Sequence, residues 1–266
     1  YGVTGSQAVS QYQSLARLST EFVGIGVNNE VVTLRPSGSA ANPSLKWETQ
    51  RQFNAGIDVG FFDNRVTVAL DAYRSVTSDL LLWVDLPRTS GFTNQLRNIG
   101  ELTNRGVEVG INTVNVESAN FSWRSALNVS ANRNEVTDLG GVDYLFPGGS
   151  RYGWFIDGGQ SHIIQVGEPL SAIYGYEVDG LWQQGDNCYL NNPDDCVPGE
   201  YKVLDHNGDG VISADDRTIL GYADPDFYGG FTNNFTWGPM QLDAFLTFSV
   251  GNKIANVSRV FTESVT

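Results

Sequence analysis

The chain has 266 residues, 41% of them hydrophobic and 17% charged, enough apolar material for one large β domain or two ordinary ones. Its 30 acidic and 16 basic residues leave a formal net charge of −14, which sets nucleic acid aside as a partner because phosphate binding needs clustered Lys and Arg. No stretch approaches the roughly 18 consecutive apolar residues of a membrane-spanning helix, an exclusion that does not touch β-barrels, whose strands cross with about ten alternating residues.

In chain order, residues 1–46 are irregular and read as loop with a short helical or extended piece, entering a strand near Trp47. From there period-two alternation dominates. Phe53, Ala55, Ile57, Val59 and Phe61 alternate with Asn54, Gly56, Asp58 and Gly60. After a turn at Asp63 and Asn64, the apolar set Val66, Val68, Leu70 and Ala72 alternates with Thr67, Ala69, Asp71 and Tyr73. A second hairpin pairs Val107, Val109 and Ile111 with Phe121, Trp123, Leu127 and Val129. A third pairs Phe227, Phe231, Phe235 and Trp237 with Leu242, Ala244, Leu246, Phe248 and Val250.

Links within hairpins are short, whereas residues 75–104 and 132–227 read as long connections. Antiparallel strands alternate direction, so the short turns fall on one side and the long loops on the other. That asymmetry is expected of an outer-membrane barrel. The apolar faces then touch either lipid or a second sheet. Aromatics near strand ends, such as Phe53, Phe121, Trp123 and Trp237, suit an interfacial girdle or a sandwich core alike.

The long connection, an insert over about residues 133–226, carries three candidate features. Tyr144, Phe146, Tyr152, Trp154, Phe155 and Trp182 offer ring faces that stack on sugars or pack on one another; Tyr152, Trp154 and Trp182 are the candidate ligand contacts. Cys188 and Cys196 bracket a polar stretch and read as a loop-closing disulfide or as free thiols; we favour the disulfide. The stretch "DHNGDGVISADD" at 205–216 has calcium-loop spacing. Asp205, Asn207 and Asp209 stand at positions 1, 3 and 5, Gly210 at the turn, Val211 offers its carbonyl at 7, and Asp216 closes at 12. Hard oxygens at alternate positions let a short loop wrap one large cation; the bland reading is an Asx-rich turn without an ion.

Catalytic signals are weak. His162 stands alone, His206 lies inside the acidic loop, and no P-loop, HExxH or GxSxG occurs. The adjacent carboxylates Asp194 and Asp195, or Asp215 and Asp216, suit solvation better than glycoside hydrolysis. No enzyme is expected.

Seven blocks in order carry a resemblance: "YGVTGSQAVSQY", "NPSLKWETQRQFNAGIDVGFFDNRVTVALDAYRSVTSDLLL", "LPRTSGF", "NIGELTNRGVEVGINT", "FSWRSALNVSANRNEV", "GEPLSAIYGYEVDGLWQ" and "DHNGDGVISADDRTILGYADPDFYGGFTNNFTW". Together they resemble the SusC-like (RagA-like) TonB-dependent outer-membrane transporters. The resemblance implies import of oligosaccharides or peptides driven by the TonB complex, a barrel of about 22 strands filled by a plug, and a SusD-like surface lipoprotein lid. No plug or TonB box is read in these residues. The expectation is therefore an all-β, antiparallel, up-and-down transmembrane β-barrel segment. It would be an incomplete barrel of about 8–10 strands spanning residues 1–266, from the C-terminal half, in contact with outer-membrane lipid, with a structural Ca2+ in its insert and no organic cofactor. The alternative is a secreted all-β carbohydrate-binding module with a calcium-stabilised loop.

Overall fold

Alternating β-branched and aromatic residues form long strands here, and most of them join one sheet. The structure, a computed structural model, describes residues 1–6, 14–15, 18–24, 30–36, 39–146, 161–170 and 172–256. The strands are β1 (Gly2–Ser6), β2 (Leu18–Gly24), β3 (Glu30–Pro36), β4 (Ser39–Ala40), β5 (Glu48–Phe61), β6 (Val66–Asp85), β7 (Asn94–Glu117) and β8 (Phe121–Asp138). They continue with β9 (Tyr144–Leu145), β10 (His162–Gln165), β11 (Ala172–Tyr176), β12 (Val178–Leu181), β13 (Tyr201–Val203), β14 (Arg217–Tyr222), β15 (Phe227–Trp237) and β16 (Met240–Val250). The main sheet has eight strands in the order β1-β5-β6-β7-β8-β15-β16, antiparallel throughout, with β4 added in parallel on β7. Among the described residues it does not close on itself.

The hairpin turns follow local chemistry. Phe62, Asp63 and Asn64 all take positive φ, and the Asn64 side chain folds back over Gly60. A Cβ at Gly60 would lie 2.0 Å from Asn64 Oδ1, so any other residue there would have to displace the Asn64 side chain. Arg65 ties this turn to the next hairpin, donating to the carbonyls of Val114 (3.1 Å) and Asn115 (3.2 Å).

Register assigns the two faces. One face carries the rows Val59–Val68–Ile111–Leu127–Phe231–Leu246 and Ile57–Leu70–Val109–Val129–Gly229–Phe248. No second sheet covers them among the described residues: Ile57 is 59% and Leu246 65% exposed. A sandwich would have buried both. From Phe53 to Phe61 this face runs about 26 Å along the strand at ~3.3 Å per residue, which a strand tilt of about 40° reduces to ~20 Å, near the height of a barrel's apolar band.

Two expectations about connections change. Residues 75–104 are mostly strand: β6 and β7 run to 20 and 24 residues and are joined across residues 86–93. A bulge hides the pattern. The register shifts between Thr77 and Leu80, where Asp79 takes φ 59°, and shifts back between Leu80 and Leu81, so the regular alternation breaks there. Likewise β8 continues to Asp138, so the insert begins about six residues later than the sequence suggests.

The insert holds its own four-stranded sheet, β14-β11-β10-β9, and a β12–β13 pair. Val136, Leu139, Ile163 and Ala172 are buried where it meets the barrel strands. Backbone hydrogen bonds join them, Val136 N–H to Glu168 O (3.0 Å) and Gly167 N–H to Val136 O (2.8 Å).

Candidate functional site

The second face of the sheet is polar. Its rows include Gly56–Asp71–Glu108–Ser130–Tyr228–Ser249 and Asp58–Ala69–Gly110–Asn128–Gly230–Thr247. Asp71 and Glu108 stand directly opposite each other, a like-charge pair that costs stability unless water screens it. Nearby glycines clear the wall. A Cβ at Gly106 would lie 2.5 Å from the Tyr73 ring, and one at Gly56 would meet the Asp71 carboxylate at 2.2 Å. Further along, Asn234 Nδ2 (2.6 Å) and Gln241 Nε2 (3.0 Å) donate to Asp243. This face offers carboxylates, amides and ring edges to a wet space, suited to hydroxyl, amide or cationic groups.

The insert carries the second candidate. Cys188 and Cys196 are joined as a disulfide. Between them Asn191 reaches the acidic loop, its N–H donating to Gly210 O (2.7 Å) and its Nδ2 to Asp209 O (2.8 Å). Within the loop Asp205 accepts from Gly208 N–H (2.6 Å) and Gly210 N–H (2.7 Å). Asp209 accepts from Val211 N–H (2.8 Å) and from Asn207 Nδ2 (3.1 Å).

Asp216 is wholly buried and accepts from the N–H groups of Ser213 (2.7 Å), His206 (3.0 Å) and Asn207 (3.4 Å). These donors, Ser213 first, hold its carboxyl below the usual carboxylate range despite burial. Asp216 also completes a capping box with Ser213 on the single 3₁₀ turn Ala214–Asp216. The Asp205 side chain adjoins Asp216. Asp209 is turned to its own neighbours, and no group of three His, Cys, Asp or Glu among the described residues is gathered as a metal cage. The donor chemistry suits a hard cation; the carboxylates as placed serve first as acceptors for backbone N–H.

Of the candidate ligand-contacting rings, Tyr152 and Trp154 lie outside the described residues, as does Phe155. Trp182 is 2% exposed, its ring packed against Tyr189 at 5.1 Å with the Lys202 ammonium 5.2 Å from its centroid. It is a core residue of the insert, because the disulfide loop and β13 fold over it, and its faces are not offered to a ligand.

Strand-by-strand reading missed features that exist only across strands. On the apolar face a hydrogen-bonded chain links Thr113 Oγ1 to Asn115 (3.0 Å), Asn115 to Ser125 Oγ (2.7 Å), and both Ser125 (2.7 Å) and Trp123 Nε1 (2.9 Å) to Asn233 Oδ1. The bulge between Val114 and Val116 makes room for Asn115 beside Ser125.

Residues 10–260 match the family model described as TonB dependent receptor-like, beta-barrel. The chain is 38% identical over 263 residues to TonB-dependent receptor P3 of Formosa agariphila, covering 96% of this chain and 25% of that protein. It is 30% identical to TonB-dependent receptor SusC of Bacteroides thetaiotaomicron, again over 96% of this chain and 25% of that protein. Among solved structures, the RagAB peptide transporter superposes with a TM-score of 0.73 at 26% identity, covering 98% of this chain and 27% of that one. The chain thus spans about a quarter of the length of the curated relatives it matches.

Proposed function

The chain belongs to the TonB-dependent receptor-like β-barrel family, and from that premise we propose that it forms barrel wall and external insert of an outer-membrane importer of oligosaccharides or peptides. The family is one of receptors, and we assign no catalytic step to these residues. The observation that carries the reading is the two-faced sheet: bare apolar rows on one side, and Asp58, Asp71, Glu108, Asn128 and Asp243 on the other. The apolar rows meet hydrocarbon and the polar rows line a wet lumen. Energy coupling through the TonB complex and a SusD-like lipoprotein over the mouth belong to this reading and involve polypeptide outside these residues.

The test uses the intact protein in its own bacterium. It should sediment with outer membranes, resist carbonate washing and need detergent for release. Deleting its gene should abolish uptake of one member of a panel of labelled oligosaccharides and oligopeptides. Recovery in the soluble fraction would overturn the proposal and favour a secreted module.

We further propose that the acidic loop takes a structural Ca2+ through Asp205, Asn207, Asp209, the Val211 carbonyl and Asp216. The complete ligand spacing and the adjoining Asp205 and Asp216 carboxylates support it. Calcium should slow proteolysis within 205–216 several-fold in the intact protein, relative to EGTA, and Asp209→Ala should remove the difference. Equal cleavage with and without calcium would leave the loop an Asx-rich turn.

A further inference from the structure

On the apolar face, the row next above Ala72, Val107 and Ala131 changes character. Arg74 stands opposite Arg105, and Arg105 opposite Arg133, so three adjacent strands place a guanidinium side by side. Arg51 on β5 stands one row further out. All four are exposed. In a chain of net charge −14, four of its 16 basic residues thus gather at one border of the apolar band, on the insert side. Like charges directly opposite across strands destabilise a sheet, and here one of the three, Arg133, has a carboxylate paired with it. Arg133 pairs with Asp226 at 3.3 Å, and Glu135 lies one row beyond it. Arg74 and Arg105 make no ion pair or side-chain hydrogen bond with any described residue.

We propose that Arg74, Arg105 and Arg133 seat the phosphate of a membrane-lipid headgroup in the leaflet on the insert side, a proposal that rests on the outer-membrane reading above. A phosphate supplies the missing counter-charge, and guanidinium forks bind its oxygens in pairs. The surface below selects a lipid over a free anion. Directly beneath the three arginines lie Ala72, Leu70 and Val68, then Val107, Val109 and Ile111, then Ala131, Val129 and Leu127, a continuous track for acyl chains. A cleft of about 290 Å3 opens beside Arg105 and Arg133. Of the four acids that line it, Asp226 is paired with Arg133, Glu168 accepts from Tyr222 and Asp224 from Asn134. The fourth, Glu135, lies one row beyond Arg133, so Arg74, away from the cleft, and the outward side of Arg105 are where the phosphate binds.

The experiment uses the intact polypeptide purified in a neutral detergent, with native mass spectrometry of added bisphosphorylated lipid A and of the same lipid after phosphatase treatment. The phosphorylated lipid should bind at least tenfold more tightly. The variant Arg74→Gln/Arg105→Gln/Arg133→Gln should hold both lipids as weakly as the unmodified protein holds the dephosphorylated one. Arg124→Gln, on the polar face, should change nothing. Equal binding of the two lipids overturns the proposal, and that comparison needs no variant to fold. Displacement of lipid by an equal concentration of inorganic phosphate would assign a free anion and also overturn it. If the protein does not fractionate with membranes, the outer-membrane reading fails; if it does and the two lipids bind alike, this inference alone fails.

Discussion

Within the insert, Tyr222 donates its phenol hydrogen to Glu168 Oε2 at 2.6 Å, and the backbone carbonyl of Glu168 in turn accepts from Val136 of β8. That hydrogen bond, with burial second, raises the phenol above its ordinary value of 10.0. The folded state therefore keeps this proton longer than the unfolded chain does. The contribution is complete below about pH 10 and is lost as pH rises through the raised folded value. Amide exchange at residues 167, 168 and 170, taken relative to the base-catalysed rate of the unfolded chain, should accordingly hold steady up to about pH 10 and quicken above it. Tyr222→Phe should lose about 1 kcal/mol of local protection at pH 8, typical of one hydrogen bond, and show a smaller alkaline increase. An unchanged alkaline profile in that variant would place the sensitivity elsewhere. Neither partner could have been paired from the sequence, since 54 residues separate them.

Among the elements, β7, β8 and β15 carry the hydrogen-bonded chain from Thr113 through Asn115 and Ser125 to Asn233. Polar groups on a lipid-facing surface must satisfy one another, because hydrocarbon offers no partners. Asn233 Oδ1 accepts from both Ser125 and Trp123, so Asn233→Ala leaves two donors unpaired. The expected cost is about 1–3 kcal/mol in urea unfolding of the barrel from vesicles. Adding Ser125→Ala should cost less than the two single changes summed, and strict additivity would show the residues to be uncoupled. The hairpins themselves were legible in the sequence, because alternation over 53–73, 107–129 and 227–250 is a local signal. The outer parts of β6 and β7 were not, since the bulge at Asp79 shifts the register in the middle of the run. Asn233 and the row Arg74–Arg105–Arg133 escaped for a different reason: each looks unremarkable in its own strand and gains meaning only from its neighbours across the sheet. The acidic loop stood out from spacing alone, yet the sequence could not tell that Asp216 would be buried under three N–H donors.

For the molecule as a whole, the decisive property is which side of the sheet meets lipid, and two successive residues of β16 separate the outcomes. Leu246 lies on the apolar face, midway between Leu242 and Val250 and opposite Phe231. Thr247 lies on the polar face opposite Gly230. Neither is buried, so in water an arginine at either position would be tolerated equally, within the few tenths of a kcal/mol usual for surface changes. In a membrane the two differ sharply. Arginine near the bilayer midplane of a barrel costs roughly 2–4 kcal/mol, whereas a lumen-facing one is solvated. Leu246→Arg should therefore lower the urea midpoint and the yield of folded, heat-modifiable barrel, while Thr247→Arg leaves both near those of the unmodified protein. The reverse ranking would turn the sheet inside out, placing the acidic rows against lipid. Equal, negligible effects would mean that no hydrocarbon touches either face, and the transporter reading would fall with the membrane one.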